Sequence, residues 1–433
     1  MRRRRGLRWL AVFALVAVVA AACGGGDDDG EAADTTTTGA EAPSGEGDGV
    51  FKIGYVLPET GALSFLGPPM IEAVKMAVDE INAAGGVLGQ DVELVASDSG
   101  TDPDVANASV DTLLAEGVDY IVGPASSGIA LSVIDKITGA GIPMCSPSNT
   151  GVQFTSYDDN DLYFRTAPPD NLQAQVLADL IVDDGATTVV VLGRADEYGE
   201  GFANLLADDL EAAGVTVADT IIYDPEAGSY ADVASDIAAA SPDAVAMISF
   251  DEGAQIIKDA IAAGVGPADV QWYGADGIQS SEFWEKVDPN DPSVVEGIRG
   301  TAPSAAPEGG EATFTERFAE FAPGTDTIFS GHAYDCVVIG ALAADVAGSD
   351  APADVAANIV DVTRAPGDTC SLYDECLKIV DDGGEVDYDG ASGPLDFVDV
   401  GEPGAGAYDT WEFDAEGAVQ VIEASIPVQG EES

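Results

Sequence analysis

The chain holds one histidine in 433 residues. That excludes histidine-clustered metal centres and leaves a serine nucleophile almost no choice of base. Basic residues are scarce too. Sixteen Lys and Arg stand against 78 Asp and Glu, a formal net charge of −62. Five of those arginines lie in the first eight residues, which leaves 11 basic residues for all the rest. Such a surface repels nucleic acid and anionic lipid, so neither is an expected partner. Four Trp and 12 Tyr do not suggest a base-stacking platform. The five cysteines show no zinc spacing, and no phosphate loop is present. No metal and no cofactor are expected. The apolar run Trp9–Ala22 has 14 residues, short of the roughly 20 that a spanning helix needs.

That run follows an arginine-rich start and leads through Ala20, Ala21 and Ala22 into Cys23. It reads as the core of an export signal. The small residues before Cys23 resemble a bacterial lipobox, which implies a lipidated cysteine as the new N-terminus. Ala20 departs from the leucine commonest there. The Sec and twin-arginine routes both stay open. Residues 24–49 are Gly, Asp, Glu, Thr, Ala, Ser and Pro with almost no large apolar side chain, a flexible tether. The predicted product is an exported domain held at the outer face of the cell membrane by lipid alone.

The rest is organised around Val118–Thr150. Tyr120–Val122 is an apolar run stopped by Gly123-Pro124, a buried strand. Ile129, Val133, Ile134 and Ile137 recur at helical spacing after Ser126 and Ser127. Ile142–Cys145 is a second strand, ending in Ser146-Pro147-Ser148-Asn149-Thr150. Two strands thus end side by side in hydroxyl residues with a helix N-terminus between them. Carboxyl ends of parallel strands form the ligand crevice of open α/β sheets. A helix N-terminus suits a carboxylate. Ser127 also fits a plain helix cap.

Strands and helices alternate from Phe51 onward, which predicts right-handed βαβ units and parallel sheets. The pattern restarts at Thr188–Leu192. It then echoes the central stretch: Asp119 lies eight residues before Ser127, and Asp243 eight before Asp251. Two similar α/β domains facing across a cleft would set Ser127 and Thr150 opposite Phe250 and Asp276. Gly297–Ala302, Ser392–Val398 and Ala407–Phe413 read as later strands, and Glu423–Ser433 as a loose tail.

In order along the chain, KIGYVLPETG, AVDEINAAGGVLG, YIVGPASSG with GIPMCSPSNT, LYFRTAPPDNLQ, EYGEGFA and SGPLDF resemble the type 1 periplasmic binding proteins. The nearest group is the leucine/isoleucine/valine-binding proteins of ABC importers. The resemblance spans about Val50–Val421. It implies two doubly wound parallel-sheet domains joined by three crossovers, near Ala167–Pro169, Ala302–Pro303 and Gly393–Leu395. Residues 50–167 plus 303–393 would form one lobe, and 168–302 plus 394–425 the other, with 426–433 as tail. The implied function is an amino-acid receptor that closes on its ligand and delivers it to permease and ATPase subunits. The resemblance places Ser127, Thr150 and the Asn149 backbone at the ligand carboxylate. It places Asp276 at the ammonium group, Tyr198 against the ligand from the second lobe, and Phe65 over the side-chain pocket. Phe250 stands where an aromatic hydroxyl is common, and Asp276 is one methylene shorter than the usual Glu.

Other readings compete. A receptor for a neutral amide or urea needs no counter-ion at Asp276. A sensing subunit would share the same binding site. A hydrolase is weaker, because GPASSG lacks the G-x-S-x-G elbow and His332 is far along the chain. His332 reads as a cap or packing residue. Residues 385–396 approximate a calcium loop with Glu and Asp exchanged at its ends. Cys370 and Cys376 are close enough for a local bridge in an exported chain. Cys145 and Cys336 fall at a strand end and on a returning helix, where a bridge and two buried thiols both fit.

Overall fold

The computed structural model describes residues 47–304 and 311–430. The export signal, Cys23 and nearly all of the tether lie outside the described residues. The first sheet is built by β1 (Lys52–Leu57), β2 (Glu93–Asp98), β3 (Tyr120–Val122), β4 (Met144–Ser146) and β5 (Tyr163–Arg165), short runs that are buried except at the edge strand β2. They lie in the order β2-β1-β3-β4-β5, all parallel. Helices α1 (Gly67–Ala84), α2 (Pro103–Glu116) and α3 (Ser127–Gly139) make the connections.

The chain then leaves this sheet. Helix α4 (Asp170–Asp183) opens a second α/β layer. Its strands are β6 (Thr188–Arg194), β7 (Thr216–Tyr223), β8 (Ala244–Ile248), β9 (Gln271–Gly274) and β10 (Arg299–Pro303). Helices α5 (Glu197–Ala212), α6 (Ala231–Ala240), α7 (Gly253–Ala263) and α8 (Phe283–Val287) connect them.

After β10 the chain returns to the first layer with α9 (Glu311–Phe321), α10 (Ser330–Ala347), α11 (Pro352–Ile359) and α12 (Tyr373–Asp381). A small sheet is added there by β11 (Asp368–Cys370), β12 (Val386–Gly390) and β13 (Gly393–Pro394). The end of the chain goes back to the second sheet as β14 (Ala405–Phe413) and β15 (Val419–Gln429), for an order of β15-β14-β10-β9-β8-β6-β7. β14 runs antiparallel to β10, and β15 antiparallel to β14. The two layers are called lobes 1 and 2 below.

α10 is the keystone of lobe 1. Ser330 through Ala344 are all buried. A helix apolar all round belongs in a core. It packs on α1 and α11 and against β3 and β4. Gly340 allows this, because a Cβ there would stand 2.8 Å from the Tyr120 ring. Two disulfides tie lobe 1 together, Cys145–Cys336 between β4 and α10 and Cys370–Cys376 between β11 and α12. The question between a bridge and two thiols at Cys145 and Cys336 is answered by a bridge.

Some expectations need correction. The stretch from Glu423 is not a loose tail: through Gln429 it is the larger part of β15. Its side chains are mostly exposed, so it shows no core alternation, and its register comes from backbone pairing with β14. Ser392–Val398 is not a strand of that length. Only Gly393 and Pro394 form a strand, since Pro394 offers no N–H and Asp396 takes a positive φ of 39°, and Phe397 makes an isolated bridge to Pro403. Residues before 50 already belong to the domain. Asp48 and Gly49 donate backbone N–H groups to the Asp350 carboxylate at 3.1 and 2.6 Å. Residues 386–390, weighed as part of a calcium loop, are strand β12.

Candidate functional site

The ends of β3 and β4 in lobe 1 face the ends of β8 and β9 in lobe 2. Between them lies a cavity of about 10 Å³, room for about one water. Leu63, Leu66, Ala125, Ser126, Ser127 and Ser148 line it from lobe 1, and Tyr198, Phe250 and Asp276 from lobe 2. The lobes therefore touch. A Cβ on Gly128, in the first turn of α3, would stand 3.0 Å from Glu197 Oε2.

The lobe 1 wall is hydroxyls and amide dipoles. Ser126, not Ser127, caps α3: its Oγ accepts from Ile129 N at 3.5 Å. Ser127 is the first helical residue, so its side chain is released from capping. Its Oγ instead accepts from Gly151 N at 3.2 Å, which leaves its O–H proton to donate. The first N–H groups of a helix have no acceptor within the helix. The turn after β3 needs glycine. Gly123 has φ 103°, and a Cβ there would meet Val56 O at 2.4 Å.

The lobe 2 wall carries the charge. Asp276 follows β9 and is 5 % exposed. It accepts from Gln173 Nε2 at 3.0 Å and from the Tyr198 hydroxyl at 3.3 Å. Burial raises its pKa to about 6 despite these bonds. Gly277 lets the segment lie close, because a Cβ there would meet Ser249 O at 2.4 Å. Tyr198 and Phe250 are stacked with centroids 5.4 Å apart. The Arg194 guanidinium lies 3.6 Å from the Phe250 ring centre and is held by Asp196 and Glu252 at 2.6 and 2.9 Å. Burial and the nearby carboxylate of Asp276 push the Tyr198 hydroxyl well up, so it stays a donor.

A second acid stands behind this wall. Asp170, at the start of α4, is fully buried, and neither carboxylate oxygen has a hydrogen-bond partner of ordinary geometry. Burial and then repulsion from Asp276 raise its pKa, against a smaller opposing effect of the Thr150 hydroxyl.

Of the residues predicted from sequence, Ser127, Tyr198, Phe250 and Asp276 come together around the cavity. Asn149 and Thr150 stand one layer back. Asn149 N donates to Ser146 Oγ at 3.0 Å, and its side chain bonds Ala125 O and the Tyr163 hydroxyl at 2.7 and 3.1 Å. Thr150 O accepts from Asp170 N at 2.7 Å. Phe65 does not reach the cavity. The turns 61–64 and 63–66 put Leu63 and Leu66 on the cavity face instead. Sequence reasoning missed these leucines, Ser126 and Ser148 as lining, and Gln173 and Arg194 as supports. Gln173 was signalled by its place one turn into the helix of PPDNLQ. No local signal marked Arg194.

Comparison with known proteins bears on this site. A family model described as periplasmic binding protein matches residues 50–370. The chemotactic signal transduction system substrate-binding protein BasB of Halobacterium salinarum is 28 % identical over 367 residues, covering 82 % of this chain and 85 % of that one. The leucine-, isoleucine-, valine-, threonine-, and alanine-binding protein of Pseudomonas aeruginosa is 34 % identical over 168 residues, covering 39 % of this chain and 45 % of that one. The leucine binding protein LivK of Thermotoga maritima shares the fold with a TM-score of 0.73 at 22 % identity, covering 89 % of this chain and 100 % of that structure.

Proposed function

This chain belongs to the periplasmic binding protein family, and from that premise we propose that it is an extracytoplasmic receptor for an α-amino acid with an apolar side chain. The observation that carries the reading is the opposed chemistry of the two walls. Lobe 1 offers Ser126, Ser127, Ser148 and the α3 N-terminus to a carboxylate. Lobe 2 offers Asp276, the one carboxylate among the described residues that line the cavity, to an ammonium group. Leu63 and Leu66 would contact an apolar side chain. With a cavity of about 10 Å³, the lobes must part to admit any amino acid and close again around it. The site is read as non-enzymatic: Ser127 Oγ bonds Gly151 N rather than a base, and His332 lies elsewhere. Export with a lipid on Cys23, and delivery of the ligand to an ABC permease and ATPase, complete the reading.

A second reading, ligand sensing, is favoured by the Halobacterium salinarum relative, whose name describes chemotactic signal transduction and which covers 82 % of this chain. Uptake of labelled amino acid separates the two. Loss of uptake on gene deletion supports import. Intact uptake with a lost movement response supports sensing.

The ammonium assignment has a pH signature. Asp276 must be ionised to pair, and its pKa in the free protein is about 6. Leucine affinity, measured by calorimetry, should fall about tenfold per unit as pH drops below about 6. Stability moves the other way. A carboxyl with a raised folded-state pKa favours the folded state at low pH, and loses that contribution as pH rises through about 6. A leucine affinity that is flat between pH 7 and 5 would sink the pairing.

A further inference from the structure

The chain passes between the lobes three times: at residues 166–169 between β5 and α4, after β10, and at residues 395–404 between β13 and β14. The first turns of α10 grip the roots of two of these passages. Thr166 Oγ1 donates to His332 O at 2.9 Å, which holds the first. Cys336 is bridged to Cys145, the neighbour of Ser146 at the end of β4. Thr166 N donates to Ser146 O at 3.2 Å, so the first passage and that strand end are tied to each other as well. Asp335 lies between His332 and Cys336 and holds the third passage.

Asp335 is 0 % exposed. Its carboxylate accepts from the Tyr388 hydroxyl at 2.7 Å, from Ala391 N at 2.8 Å, from Ser392 N at 2.7 Å and from the Ser392 hydroxyl. Ala391 and Ser392 form the turn between β12 and β13, just before the chain leaves lobe 1. The approach is close, because a Cβ on Gly390 would stand 2.4 Å from the carboxylate oxygens. All four donors are neutral. Burial raises the pKa of Asp335 to about 6 against the pull of these donors, so at neutral pH it is ionised and accepts. A buried charge is a poor source of stability, even when fully bonded. What this carboxylate supplies is position, since it fixes two backbone groups and two side chains at one point.

We infer, for a receptor that closes on its ligand as read above, that Asp335 is a positioning residue for closure, which fixes the pivot of the third passage through Ala391 and Ser392. α10 is thereby the common mount of the β4 end and of two passages. With the pivot fixed, closure brings the two walls into one register around the ligand. With it loose, the lobes part sooner and the ligand leaves faster.

Asp335→Asn keeps the size and exchanges an acceptor for a donor. By stopped flow it should raise the leucine koff about tenfold or more and leave kon within about twofold. Ser392→Ala should raise koff about threefold, and the double variant no more than Asp335→Asn alone, because the Ser392 hydroxyl acts through the carboxylate. Hydrogen exchange reads the pivot without any ligand. Asp276, Gly277 and Ile278 are buried in the other lobe, at the cleft. Their amides should exchange about threefold faster or more in Asp335→Asn, and also faster in Ser392→Ala, which carries the test where Asp335→Asn does not fold. Val110→Ala, a core change on α2 away from the passages, should leave both readouts within about twofold. Wild-type protein that binds no leucine would count against the ligand reading alone, and the exchange then decides the pivot. Unchanged exchange at Asp276–Ile278 in both folded variants, the same effects from Val110→Ala, or additive losses in the double variant would overturn the role of Asp335.

Discussion

Asp276→Asn should lower leucine affinity at least a hundred-fold, read by calorimetry at pH 7.5. The carboxylate is 5 % exposed, and its two neighbours, Gln173 Nε2 and the Tyr198 hydroxyl, are neutral donors. Among the described residues, no cationic side chain lines its cavity. An ammonium group would be its only full counter-charge there. Leaving one partner of a buried pair alone costs about 3–5 kcal/mol, which corresponds to roughly two to four decades in Kd. Asparagine keeps the size and removes only the charge, so the loss reads the ion pair and not the shape. The free variant should be no less stable than wild type at neutral pH, since it removes an acid that ionises against its burial. Unchanged leucine affinity would move the assignment to a neutral ligand, an amide or urea.

Arg165→Met should destabilise the protein by about 3–5 kcal/mol in urea unfolding and weaken the ligand as well. Arg165 ends β5 and is 0 % exposed. Its guanidinium pairs with Glu402, donating through Nε at 2.9 Å and also through Nη2. Nη1 donates to the carbonyls of Asn149 and Gly151 at 3.2 and 2.8 Å. Nη2 also reaches Thr155 Oγ1 at 3.1 Å. The one side chain therefore holds both ends of the Thr150 loop and ties it to the segment that leads into β14. Methionine fills the space but leaves the Glu402 charge and two carbonyls unmatched. Arg165→Met with Glu402→Leu should recover part of the loss, because a buried pair replaced whole is far less harmful than one broken. A single-variant effect under about 1 kcal/mol would contradict the role given to Arg165.

The parts of this molecule that sequence reveals are those built from repetition. Apolar runs of parallel strands and the 3.6-residue period of helices such as Ile129, Val133 and Ile137 carry the alternation of both layers. The polar cleft was visible for a related reason: strands that end in Ser126-Ser127 and Ser146–Thr150 announce a crevice, whatever the rest of the chain does. β15 was hidden because an edge strand with its side chains mostly in solvent has no buried face to pattern it. Phe65 against Leu63 and Leu66 was a matter of turn register, fixed by the bonds from Ser64 N to Gly61 O and Leu66 N to Leu63 O. Arg194 stacks on Phe250 across 56 positions of sequence, and only folding brings the two elements together.

The account rests on one ligand being gripped by both ends, its carboxylate by lobe 1 and its ammonium by lobe 2. Calorimetry with leucine and its two halves, 4-methylpentanoate without the amine and 3-methylbutylamine without the carboxylate, tests that directly. The account predicts that leucine binds and that each half binds at least a hundred-fold more weakly. Binding of either half as tightly as leucine would contradict it.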